Sequence, residues 1–197
     1  MTGGTMANLR ELPLTVIKLG GGLMRIPGAL DLAARAIASA ARRRPLIVVP
    51  GGGPFADAVR TLDAALGLSP STAHWMAILA MDQYACVIAD RLDGGCIAWE
   101  REGIREALAA GKVPVLAPFR WMRAADVLPH SWDVTGDSIA AFVSGALDAD
   151  LLVLLKPIPG GTADLVDRGF SEVLPAGVRA VVLGPAELDR LEEVLAR

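Results

Sequence analysis

Lysine is scarce in this chain: its 19 basic residues comprise three lysines, Lys18, Lys112 and Lys156, and 16 arginines. Lys18 and Lys156 both stand where an apolar run meets a glycine-bearing loop, in VIKLGGG and LLKPIPGG. A compact ammonium there suits a phosphate, and glycines without a Cβ let backbone N–H groups approach the same anion. A second triple glycine, Gly51-Gly52-Gly53, follows the apolar run PLIVVP and precedes Pro54, a residue favoured at helix starts. One triple glycine is as well explained by a turn. Two in equivalent positions, after Leu19 and after Pro50, point instead to two anionic groups at helix N-termini.

Lys18 and Asp137 each have a plainer reading. Alternation puts Val16 and Lys18 on one face of their strand and Ile17 and Leu19 on the other. On a solvated edge strand Lys18 would be unremarkable, whereas buried without a partner it would be costly. Asp137 opens a helix in Thr135-Gly136-Asp137, where an acid ordinarily answers the helix dipole; Asp133 brings a second carboxylate to the same turn. Asp82 interrupts the apolar stretch MAILAMDQYA and reads as a polar contact between helices. Standard nucleotide signatures fail. Gly111-Lys112 lacks the Ser or Thr of a P-loop, and GGGPFA lacks the short βαβ unit with a distal acid that a dinucleotide turn needs.

The elements that must position these residues follow from periodicity. Strands are expected at 14–19, 45–50, 96–99, 113–118, 151–155 and 179–183, and helices at 27–42, from 54, at 71–92, 101–110, 136–147 and 185–196. Strand and helix alternate, so the expected class is α/β, a three-layer α/β/α sandwich with a mainly parallel central sheet. Residues 119–132 show no periodicity; Phe119, Arg120, Trp121, Arg123, His130 and Trp132 there suggest a binding loop. Residues 1–13 read as a flexible lead-in and 14–197 as a single domain, with an acceptor-binding part at about 14–133 and a nucleotide-binding part at about 134–197. The apolar helix at 71–92 suggests a homo-oligomer.

Composition narrows the function. A chain of 197 residues with 53% hydrophobic and 21% charged residues can bury a core. Its net charge of -3 gives no global attraction to nucleic acid, and its apolar runs fall short of a membrane span, so neither partner is expected. Two cysteines and two histidines leave no metal site in view, and the cysteine usage suits a reducing cytoplasm.

Lys18-Leu19-Gly20-Gly21-Gly22, Pro50-Gly51-Gly52-Gly53 and Thr135-Gly136-Asp137-Ser138-Ile139-Ala140 together resemble the amino acid kinase family, from about Leu14 to the C-terminus. PGGGPFADAVR, AHWMAILAMDQYA, SWDVTGDSIAA and DLVDRGF are similar to the branch that phosphorylates an aminomethyl-furan phosphate in methanofuran and methylofuran synthesis. That resemblance implies an ATP-dependent kinase acting on a small phosphorylated substrate, with Mg²⁺ carried in by the nucleotide. It implies Lys18, Asp137 and Lys156 as catalytic residues, with Gly20, Gly21, Gly22, Asp137 and Lys156 at the nucleotide. It also implies Gly51, Gly52, Gly53, Arg120 and Trp132 at the acceptor. The family's aspartate turn after the strand 151–155 is replaced here by Lys156-Pro157-Ile158-Pro159-Gly160-Gly161. Two other readings stay open on the sequence: a non-catalytic ligand-binding protein that keeps the fold, and a kinase for another phosphate or carboxylate acceptor.

Overall fold

The computed structural model describes residues 13–157 and 166–196. Residues 1–12 of the expected lead-in, and 158–161 of the loop after Lys156, therefore lie outside the described residues. Six strands, β1 (Thr15–Leu19), β2 (Leu46–Pro50), β3 (Gly95–Ala98), β4 (Val113–Leu116), β5 (Leu151–Leu155) and β6 (Arg179–Leu183), form one sheet in the order β3-β4-β2-β1-β5-β6. All pairings are parallel. Helices α1 (Ala29–Ala41), α2 (Gly53–Leu66), α3 (Pro70–Arg91), α4 (Arg101–Ala109), α5 (Phe119–Ala125), α6 (Gly136–Ala146), α7 (Phe170–Val173) and α8 (Leu191–Leu195) connect and cover the strands.

A parallel sheet needs both faces covered, and the alternating side chains supply two apolar layers. Ile17 and Leu19 of β1 join Val48, Val153 and Leu155 on one face, under Ala33 and Ile37 of α1 and Tyr84 and Ile88 of α3. Val16 joins Ile47, Val49, Leu152 and Leu154 on the other, under Ile139, Ala140 and Val143 of α6 and Ile104 of α4. β1 lies between β2 and β5, with Thr15 to Leu19 opposite Leu46 to Pro50 on one side and Leu151 to Leu155 on the other. Lys18 is thus in the interior of the sheet, 6% exposed, and the edge-strand alternative is excluded.

The topology also fixes where chemistry can occur. From β1 the chain moves to β2, out to β3 at the edge and back to β4 between them, all at one side; from β5 it moves to β6 at the other. The direction of winding reverses between β1 and β5, and in open α/β sheets ligands bind outside the carboxyl ends of the strands at that reversal. Lys18 is the penultimate residue of β1, and Lys156 follows the last residue of β5.

Two expectations are corrected. The segment 119–132 is partly helical: α5 turns Phe119 and Met122 toward the core, three residues apart, and leaves Arg120 and Arg123 exposed. The closing helix of 185–196 is a 3₁₀ stretch, Pro185–Arg190, followed by the five-residue α8. Pro185 and the bond from Gly184 N–H to the Glu187 carboxylate, 3.0 Å, set that tighter start.

Candidate active site

The two glycine loops lie against each other at the sheet's carboxyl edge. Gly20 N–H donates to Leu155 O at 2.8 Å and Gly51 N–H to Leu19 O at 2.8 Å, which ties both loops to the strand ends. A Cβ on Gly21 would fall 2.2 Å from the backbone nitrogen of Gly53, so the approach demands glycine there. Gly136, at the start of α6, is less severely confined, since a Cβ would lie 3.2 Å from Gly51 Cα and 3.3 Å from Lys18 Cε.

Behind these loops Asp137 joins the two lysines. Lys18 Nζ lies 2.9 Å from Oδ1, and Lys156 Nζ donates to Oδ2. Asp137 is 2% exposed. Burial opposes its ionisation, but Lys18 and Lys156 together outweigh that and hold its carboxyl below the usual range. For Lys156 burial, reinforced by Lys18, outweighs the carboxylates of Asp137 and Asp167 and lowers its pKa from the ordinary lysine value. Two ammonium groups and one carboxylate leave the trio with one net positive charge next to backbone N–H groups, an arrangement suited to phosphate oxygens.

Asp137 does not serve the helix it opens. That task falls to Asp167, whose Oδ2 accepts from Thr135 N–H at 2.8 Å, Thr135 Oγ1 at 2.7 Å and Ser138 N–H at 3.0 Å, while Oδ1 accepts from Ser138 Oγ. Asp167 N–H also donates to Asp137 Oδ2 at 3.3 Å. The segment DLVDRGF suggests no capping role for Asp167, because a cap contributed from 29 residues beyond Ser138 leaves no local pattern.

A cavity of about 480 Å³ opens from the Lys18 end of this cluster between α2, α3 and the loop before α6; Asp137 and Lys156 are not among its lining residues. Lys18, Gly21, Gly22, Gly51, Gly52, Gly53 and Trp132 all line it. Both glycine loops therefore face one space. Arg120 is not among its lining residues and is exposed on α5, so the structure does not bring it to the site. Trp132 is fixed there by its Nε1–H bond to Asp63, 2.8 Å, and by the Arg60 guanidinium 4.4 Å from its ring. His74 and His130 form the wall beyond, stacked at 4.3 Å, with His130 Nε2 2.9 Å from Asp126. Asp82 makes the interhelical contact expected of it, accepting from Phe119 N–H at 3.0 Å. Among the described residues no group of three His, Cys, Asp or Glu could hold a metal ion, and no helix is long and apolar enough to cross a membrane.

Comparison with known proteins identifies the family and the fold. Residues 13–160 match the profile of the Amino acid kinase family. The chain is 29% identical over 146 residues to the [5-(aminomethyl)furan-3-yl]methyl phosphate kinase of Methanocaldococcus jannaschii, covering 74% of this chain and 66% of that protein. It is 25% identical over 164 residues to an acetylglutamate kinase of Mycobacterium sp., covering 82% of this chain and 52% of that one. The chain thus spans less than two-thirds of the length of either relative. Among solved structures the uridylate kinase of Archaeoglobus fulgidus superposes with a TM-score of 0.70 at 16% identity, over 91% of this chain and 95% of that one. The UMP kinase of Ureaplasma parvum gives 0.64 at 13%, over 92% and 96%. These two likenesses establish the fold.

Proposed function

We propose, on the premise that this chain belongs to the amino acid kinase family, that it transfers the terminal phosphoryl group of ATP to the phosphate of an aminomethyl-furan methyl phosphate. The product is a diphosphate. An acceptor phosphate oxygen attacks the terminal phosphorus as the bond to the bridging oxygen of ADP breaks. The acceptor is already ionised, so no general base is required. The protein's task is to hold two polyanions in line and offset their repulsion.

The observation that carries this reading is the buried Lys18–Asp137–Lys156 cluster beneath two apposed glycine loops. Lys18 and Lys156 would hold the oxygens of the group in transfer, with Asp137 fixing both ammonium groups. N–H groups of Gly21 and Gly22 would serve the nucleotide side and those of Gly52 and Gly53 the acceptor phosphate, since those of Gly20 and Gly51 are taken by Leu155 O and Leu19 O. Mg²⁺ would arrive with ATP and neutralise part of its charge. The acceptor assignment rests on the relative from M. jannaschii and on the cavity's chemistry. Trp132 offers an aromatic face to a furan ring, and Asp57 and Asp63 line the same space as carboxylates suited to an aminomethyl group.

The test is ADP formation by the purified protein with ATP, Mg²⁺ and the furan phosphate. The wild type should turn over, and Lys18→Ala should lose on the order of 10²–10³-fold in kcat, measured below its lowered but still cooperative thermal transition. Turnover of acetylglutamate or UMP in place of the furan phosphate would sink the acceptor assignment and leave phosphotransfer standing. No ADP with any of the three would sink phosphotransfer as well.

A further inference from the structure

We propose that Asp167 is a positioning residue of the site: by taking the free N–H groups at the start of α6, it leaves the Asp137 carboxylate to the two lysines. The proposal rests on the kinase reading above and adds a residue to it.

The argument starts from competition for donors. A helix N-terminus presents N–H groups without intrahelical partners, and a short acidic side chain in the first turn ordinarily turns back toward them. Asp137 is the second residue of α6 and has that opportunity. Thr135, at the cap position, makes no side-chain bond to the helix. Asp167 fills the role, reaching the N–H groups of Thr135 and Ser138 and both of their hydroxyls. With those donors taken, Asp137 has the two ammonium groups and, on Oδ2, the Asp167 N–H at 3.3 Å. The backbone of Asp167 thus steadies the same oxygen that Lys156 holds.

The charge of Asp167 acts on Lys156 as well. The groups that face Lys156 are Lys18 from β1, Asp137 from α6 and Asp167 from the segment before α7. Burial and Lys18 disfavour its ammonium form, while both carboxylates favour it. Removing the Asp167 charge leaves Lys156 one supporting carboxylate against the same opposition.

The scarcity of lysine makes the test direct, since lysine labelled with ¹³C at Cε gives three signals, from Lys18, Lys112 and Lys156. Lys→Arg variants assign them. In Asp167→Asn the Lys156 signal should titrate at lower pH than in the wild type, with Lys112 unmoved as an internal control. In the same variant kcat should fall roughly tenfold at neutral pH with KM for both substrates little changed, the pattern of a lost transition-state interaction. An unshifted Lys156 titration with kcat within about twofold of wild type would overturn the proposal. If Asp167→Asn does not fold, Ser138→Ala removes one hydroxyl donor and keeps every charge; the expected result is a smaller loss in kcat alone, and an unchanged kcat overturns the proposal. Absence of turnover by the wild type would defeat the kinase reading separately, and the lysine titration then decides the role of Asp167 alone.

Discussion

Lys18 and Asp137 form an ion pair of 2.9 Å whose side chains are only 8% and 3% exposed. Two buried opposite charges would nearly cancel, and such a pair alone is weak evidence for anything but packing. Lys156 changes this. It adds a second ammonium to the other oxygen of the same carboxylate, so the cluster keeps a positive charge at the strand ends where β1 and β5 wind in opposite directions. A phosphoryl group in transfer, its charge spread over three equatorial oxygens, is the partner proposed for such a cluster.

The first expected outcome concerns pH. Lys156 can hold a phosphoryl oxygen only as an ammonium, and burial with Lys18 beside it lowers its pKa from the ordinary lysine value. Activity should be lost as pH rises through that lowered value, placing the alkaline limb of kcat/KM, which reports the free enzyme, below the range of an exposed lysine. Asp137, held below the usual carboxylate range, stays ionised throughout and should contribute nothing to an acid limb near pH 5. Lys156→Arg, whose guanidinium does not titrate there, should move the limb to higher pH at a reduced rate. A limb unmoved by that substitution assigns it to another group.

The second outcome concerns the contact between loops. Alanine at Gly21 would put a Cβ 2.2 Å from Gly53 N and 2.3 Å from Gly53 Cα, and backbone on both sides cannot turn aside. The loops must separate, at a cost of about 1–3 kcal/mol, which for a chain of this size is a fall in Tm of about 2–12 °C. Phosphotransfer should fall much further than stability, since the N–H groups of both loops would be displaced. Gly111→Ala is the control: its φ of +68° strains an L-residue, but nothing lies within 4 Å and it is remote from the cavity. Gly111→Ala should lose some stability and no activity; comparable losses of activity in the two variants would remove the case for close apposition.

Much of this arrangement was legible in the chain. The alternation of Val16 and Ile17 placed Lys18 on a defined face, and two triple glycines one βαβ unit apart placed both loops at one edge of a parallel sheet. The residues that escaped did so for physical reasons. Asp137 has a ready local explanation in the helix dipole, and partners far along the chain, Lys18 and Lys156 on its carboxylate and Asp167 at the helix start, are what displace it. Asp167 caps a helix from the far side of β5, which no spacing rule encodes. α5 is seven residues long, too short for two turns of periodicity to stand out, so Arg120 was assigned to a loop facing the acceptor when it lies on an exposed helix face.

The cavity wall gives a third outcome, in stability. His74 is 7% exposed, its ring stacked on His130 at 4.3 Å and edge-on to Trp75 at 4.8 Å. Burial, aided by His130 and opposed by Asp126, lowers its pKa to about 4 from 6.5. Between those values the unfolded chain binds a proton that the folded chain refuses. Folding stability attributable to His74 is therefore intact above pH 6.5 and is lost as pH falls toward 4, by up to about 3 kcal/mol. Asp82 works in the opposite sense: burial raises its carboxyl to about 6 against the bond from Phe119 N–H, so acidification relieves a penalty there. The two nearly offset in the wild type, which hides either one. His74→Phe keeps an aromatic ring in the stack, removes the titration and leaves Asp82 as it was. Denaturant unfolding of both chains between pH 7 and pH 4 should show the variant gaining on the wild type as pH falls, with the difference changing most between pH 6.5 and pH 4. A constant difference across that window would mean that His74 accepts its proton in the folded state as readily as in the unfolded one.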